Sequence, residues 1–215
     1  RLFTWNLPKV DGSGFRFYGV LQQWDKKRDR ITITTLHDAG VDRPDAETAQ
    51  LDSSGWYGAL YYKVLLRKKS GKPCYTLLGW RGNDQRTTFK VIDVLSFKGP
   101  IPVFGIPLFS VPDGSDKKKK VLKNRIIFRY SAMAVMSLRY EESKKMILFD
   151  HLSPSDSLMQ GVYEFYGPDF TYDAFRFKKS KWVFMRDVDA RNDAGTTGGK
   201  RRKNKGKHVP PVEYK

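Results

Sequence analysis

The chain has one cysteine, Cys74, among 215 residues. No intramolecular disulfide can form, although many exported proteins lack disulfides too, so the compartment stays open. Histidine is nearly as scarce, with His37, His151 and His208. A zinc site needs three or four ligands gathered in space, and this inventory does not suggest one. No run approaches the roughly 18 apolar residues that a membrane-spanning helix needs. Gly-x-Gly-x-x-Gly, Walker and Gly-x-Ser-x-Gly patterns are all missing, which removes the common nucleotide-binding and α/β-hydrolase signatures. Acidic residues are in short supply: 23 Asp and Glu stand against 40 Lys and Arg, for a net charge of +17. That balance favours an acidic partner, whether nucleic acid, anionic lipid headgroups, lipopolysaccharide or an acidic protein surface, and does not choose among them.

Aromatic and β-branched segments are what the chain has in abundance. Aromatics make up 14% of it, and such residues favour pleated, half-buried surfaces. Strand-like runs are read at 2–7, 15–24, 31–36, 56–67, 74–80, 89–97 and 103–109, then at 125–130, 135–140, 146–149, 162–166, 171–177 and 182–186. Polar turns separate them, for example Asp11-Gly12-Ser13-Gly14, Ser70-Gly71-Lys72-Pro73 and Lys98-Gly99-Pro100. Pro102 and Pro107 mark 103–109 as an edge strand or extended loop. One helical turn is expected after Pro44-Asp45, and Ser131–Met136 is a second short helix candidate. Spacings near ten residues predict a mainly β fold, an antiparallel meander forming a sandwich, barrel or curved sheet. The aromatic spacing suits strand interiors. The expected organisation is one β domain over 1–192 and a flexible basic tail over 193–215.

The tail from Gly195 carries seven cations and one acid, so the preceding domain is basic as well. Its charge block is Lys200, Arg201, Arg202, Lys203, Lys205 and Lys207, and a second block is Lys117, Lys118, Lys119 and Lys120. Both are candidate electrostatic binding sites, with solvated loops as the plainer reading. Nucleic acid would be drawn to them in a salt-dependent way. Asp150-His151-Leu152-Ser153-Pro154-Ser155-Asp156 places a carboxylate, an imidazole and two hydroxyls within seven residues. A triad is assembled from separate segments around a nucleophile, so local turn hydrogen bonding explains this patch more simply. A hydrolase using Asp150, His151 and Ser153 remains an alternative. The late carboxylates Asp169, Asp173, Asp187, Asp189 and Asp193 lack the Asp-x-Asp-x-Asp-Gly pattern of a calcium loop. No cofactor is expected, and residue chemistry points away from an enzyme.

Several strings, taken together, resemble a family of uncharacterised exported proteins of Bacteroidota. They are Asn6-Leu7-Pro8, Trp56–Tyr62, Tyr75–Trp80, Phe149–Pro154, Tyr166-Gly167-Pro168-Asp169 and Asp187–Asn192. The likeness spans most of 1–192 and excludes the basic tail. It implies a periplasmic or outer-membrane-associated protein, and the start at Arg1 rather than Met accords either with a removed leader or with a sequence that begins downstream of its own start. It also implies a role as an accessory of the type IX secretion translocon, for instance a plug-like subunit with an outer-membrane or periplasmic protein partner. No functional residue is carried over from it. The two leading readings are therefore a non-enzymatic envelope interaction protein and a basic nucleic-acid-binding module.

Overall fold

The computed structural model describes residues 1–25, 28–40, 43–114 and 119–189. These form three sheets from fourteen strands, with helix limited to two 3-10 turns at Ser157–Met159 and Tyr163–Phe165. The first sheet is the meander β1 (Leu2–Pro8), β2 (Phe15–Asp25) and β3 (Arg30–His37). The second is built on β4 (Leu60–Lys69), β5 (Lys72–Gly82) and β6 (Thr87–Lys98), with β7 (Ile101–Phe104) and β10 (Ile126–Ser131) both paired to β6. The third holds β8 (Phe109–Pro112), β9 (Lys120–Lys123), β11 (Leu138–Glu141), β12 (Met146–Pro154), β13 (Tyr166–Lys178) and β14 (Lys181–Met185) in the order β11-β12-β13-β14-β8-β9. All the ladders between strands are antiparallel except the short β14–β8 pair. The fold is mainly β, as expected, and the sheets stay open, so the barrel alternative does not hold.

The second sheet is the middle layer, which explains why its strands read as almost continuous apolar runs. Successive side chains of a strand point to opposite faces. Cys74, Leu78, Ile92, Val94 and Ile126 pack against Phe109, Ile147, Phe149, Phe175 and Trp182 of the third sheet. Leu77, Phe89, Val91 and Leu95 point the other way, onto Phe17, Leu21 and Leu36 of the first sheet. Between the second and third sheets the buried Trp182 indole donates to the Thr76 hydroxyl at 2.9 Å. The outer face of the third sheet is partly closed by the chain returning over it, with Val188 packed against Met146, Leu148 and Ala174.

Several boundaries differ from expectation. The run 56–67 divides: β4 begins at Leu60, while Trp56 and Tyr57 are buried in the β3–β4 connection. The chain there lies too close to its neighbours for a strand with side chains on both faces. A Cβ at Gly58 would meet Phe17 Cβ at 2.6 Å and Asp38 Oδ1 at 2.7 Å. The run 103–109 breaks at Gly105, whose φ of 77° suits glycine, and so β7 and β8 join different sheets. Lys120, read as the end of a solvated loop, instead begins the strand Lys120–Lys123, which pairs with β8. The run 162–166 is mainly a 3-10 turn, and 135–140 becomes strand only from Leu138. The turn after Asp45 is a single one, closed by Ala49 N–H to Asp45 C=O at 2.8 Å; Ser131–Met136 is a turn as well.

Four tyrosines report on this packing. Burial raises the pKa of Tyr57, Tyr61 and Tyr62, and pushes that of Tyr130 up to about 12. Their contribution to stability is full below the unfolded value near 10 and is lost as pH rises through the folded values. In a 295 nm absorbance titration, part of the tyrosine signal should stay un-ionised at about pH 11 until urea unfolds the chain. A single transition of all 11 tyrosines near pH 10, before unfolding, would contradict the packing.

Candidate functional site

Two surfaces stand out, and both belong to the first sheet. Its inner face packs on the middle layer. Its outer face collects the alternate residues of three strands, as the register fixes: Phe3 faces Val20, Trp5 faces Tyr18, Gln22 faces Ile33 and Trp24 faces Ile31. Phe3, Trp5, Leu7, Trp24, Ile31 and Ile33 are 44–67% exposed. Trp5 and Tyr18 stack with centroids 5.7 Å apart. Aromatic spacing that reads as strand interior thus lies partly on an open face. A lone exposed apolar residue needs no explanation, but a contiguous aromatic sheet face does.

The second surface is a cleft of 810 Å³ at one end of the space between the first and middle sheets. One wall is the β1–β2 connection and the start of β2, with Lys9, Phe15 and Arg16. A second is the β3–β4 connection, with Asp38, Arg43 and Glu47. The middle sheet supplies Arg81, Asp84 and Arg129, and Tyr163 reaches in beside them. Arg81 is 3% exposed and forks onto Asp38, with Nη1 to Oδ1 at 2.9 Å and Nη2 to Oδ2 at 3.0 Å. It also donates to the Gly58 carbonyl, while Gly58 N–H donates to Asp38 Oδ1 at 3.0 Å. The Arg81 Nε has no hydrogen-bond partner.

Beneath the cleft lies a second buried arginine. Arg125 Nε sits 2.8 Å from Asp93 Oδ2, both residues fully buried, and Nη1 donates to the Ala46 carbonyl. Burial opposes its charge, but the Asp93 carboxylate holds its pKa above the ordinary value. Tyr61 donates to Asp93 Oδ2 at 3.2 Å and receives the Trp56 indole N–H at 3.1 Å. Tyr57 lies between the two guanidinium groups, 5.0 Å from Arg81 and 5.4 Å from Arg125 by ring centroid.

The residues named from sequence fall elsewhere. Lys119 lies just before β9 and Lys120 begins it, both exposed and outside the cleft lining. Lys117 and Lys118, and the tail cations Lys200, Arg201, Arg202, Lys203, Lys205 and Lys207, lie outside the described residues. The Asp150-His151-Ser153 patch is not brought together as a catalytic set. Asp150 Oδ2 accepts the Ser137 N–H at 2.7 Å. His151 turns instead to Asp173, with Nδ1 to Oδ2 at 2.8 Å, and its Nε2 is 3.9 Å from Asp169 Oδ2. Ser153 pairs in the ladder with Gly167 and lines a separate shallow groove beside Met133. Among the described residues no cluster of His, Cys, Asp and Glu could hold a metal ion.

The Arg81–Asp38 fork should matter far more than the open pair Arg43–Asp45, whose side chains are 35% and 55% exposed. Asp38→Ala strands a buried guanidinium and should lower unfolding free energy by about 3 kcal/mol or more. Asp45→Ala should remove less than about 1 kcal/mol. Urea denaturation of the two variants checks the order, and equal losses would show that the fork does not hold the cleft. Compared with protein-family models, curated proteins and solved structures, this chain has no match.

Proposed function

We propose that this protein is a non-enzymatic interaction protein of the cell envelope, an accessory or plug-like subunit of an outer-membrane protein-secretion complex. The observation that carries the reading is the outer face of the first sheet. Phe3, Trp5, Tyr18, Trp24, Ile31 and Ile33 form an aromatic and aliphatic surface on a rigid sheet. Tyr, Trp and Arg are the residue types that dominate buried protein–protein contacts, because they supply large rigid area with a polar handle. The strands behind them are fixed by the core, so little ordering entropy is lost on docking. The periplasmic location and the type IX partner rest on the resemblance of strings such as Trp56–Tyr62 and Phe149–Pro154 to exported proteins of Bacteroidota. The basic surface suits an acidic rim on the partner, and it would also tolerate contact with lipopolysaccharide or anionic lipid.

Trp5→Asp with Ile33→Asp should leave the thermal midpoint nearly unchanged, since both side chains are exposed. Tagged wild-type protein, purified from detergent-solubilised envelopes of its native cell, should bring down a translocon subunit. The double variant should recover it at least about tenfold less well, a loss of about 1.4 kcal/mol in binding. Equal recovery by the variant, or a wild-type protein that fractionates away from the envelope, would overturn the reading.

A further inference from the structure

The cleft between the first and middle sheets has its own chemistry, separate from the aromatic face. Five cations line it against three carboxylates. The three carboxylates are already engaged. Asp38 is forked by Arg81, and Glu47 is paired with Lys123 behind the wall. Asp84 accepts the N–H groups of Arg86 and Thr87 at 2.8 and 2.6 Å. Burial works against the Asp84 charge, yet those donors keep its pKa below the ordinary carboxylate range.

The cations are matched less completely. Among the described residues, Lys9 and Arg16 make no ion pair and stand exposed on the β1–β2 wall. Arg129 faces them from the middle sheet. Among the described residues its side-chain hydrogen bonds go to the neutral Thr87 hydroxyl, at 3.4 Å from Nε and 3.3 Å from Nη2. Its guanidinium lies over the rings of Phe89 and Tyr163, 5.6 and 5.4 Å from their centroids. It is therefore held in place; the Asp84 carboxylate feels its charge, but no carboxylate forms an ion pair with it among the described residues. The buried Arg81 has its charge met by Asp38, and its Nε has no hydrogen-bond partner. A low-dielectric floor with cations on facing walls raises the local attraction for anions, and a preorganised guanidinium matches phosphate or carboxylate oxygens two at a time.

We propose that this cleft binds a small polyanion carrying two or more phosphate or carboxylate groups, held between Lys9 and Arg16 on one wall and Arg129 on the other. Facing cations on separate segments suit two anionic groups on one ligand better than a single ion. The volume of 810 Å³ lies in the range of sites for organic ligands. The polyanion can be free in solution or carried as a phosphorylated lipid headgroup, which presents the same groups.

The test is calorimetric titration of the full chain with inorganic pyrophosphate at low and high salt. One saturable site is expected. The variant Lys9→Gln/Arg16→Gln/Arg129→Gln should bind at least about tenfold more weakly, or about 1.4 kcal/mol. A control, Lys72→Gln/Lys98→Gln/Lys178→Gln, removes equal charge from other exposed turns and strand ends, and should bind as the wild type does. Lack of saturable binding would overturn the proposal. So would equal weakening by the control, which would mean non-specific attraction to a protein of charge +17. Tighter, cleft-dependent binding to vesicles containing phosphatidic acid would assign the polyanion to a lipid headgroup. Tighter, cleft-dependent binding to oligo-dT would replace the proposal with a nucleic-acid interface. The variant Trp5→Asp/Ile33→Asp should bind pyrophosphate normally, so the site and the docking face succeed or fail separately.

Discussion

Two buried arginines, each facing a carboxylate, hold the β3–β4 connection against the middle sheet. Arg81 reaches from β5 to Asp38 and the Gly58 carbonyl; Arg125, just before β10, meets Asp93 and the Ala46 carbonyl. Between them lies Tyr57. Desolvating two guanidinium groups is expensive, and the arrangement is tolerable only because each charge has a counter-charge and backbone oxygens at hand. The connection is long and would otherwise be a surface loop. Instead it buries Ala46, Leu51, Trp56 and Tyr57, and it exchanges two backbone hydrogen bonds with β7 through Leu51 and Phe104. It serves as a layer element without being a strand.

The rest of the functional surface follows from that attachment. The connection is tied to the end of β3 by His37 N–H donating to the Ser53 carbonyl, β1 meets β4 through Tyr61 N–H donating to Thr4 Oγ1, and the other face of the first sheet is left open to solvent. The space between the two sheets then ends in two different ways. At one end, Lys9, Arg16, Arg81 and Arg129 make a cationic cleft. At another, Leu2, Leu21, Trp24, Val64, Tyr75 and Phe97 line an apolar groove of 450 Å³. Polarity at the two ends comes from where the arginines enter. Strand residues away from them revert to the apolar alternation that fills the core.

The strands of the middle layer were legible because burial on both faces leaves long apolar runs, as in Tyr75–Trp80 and Phe89–Phe97. Edge pieces were less so. β9 is only Lys-Val-Leu-Lys and exists because β8 lies beside it, which no local propensity encodes. Trp56 and Tyr57 read as strand since aromatics favour sheets, and tertiary anchoring through Gly58 overrode that preference. The cleft was not legible. Lys9, Arg16, Arg81 and Arg129 come from four segments, and each looks like an ordinary solvated charge until the layers bring them together. A weak signal was present: Asp93 interrupts Val-Ile-Asp-Val-Leu, Arg81 follows Leu-Leu-Gly-Trp, and Arg125 precedes Ile-Ile-Phe. A charge inside a run that is otherwise buried on both faces must have a partner. The lysine blocks are dense in sequence, and for Lys119 and Lys120 that density reflects exposure at the start of β9.

Native-state hydrogen exchange tests the central claim most directly. If the buried arginines make the β3–β4 connection part of the core, the amides of Ala49 and Leu51 should open with the same free energy as Val91 in the middle strand, that of global unfolding. In Arg125→Met those two amides should lose protection ahead of Val91. Exchange of Ala49 and Leu51 at surface-loop rates in the wild-type protein would contradict the account.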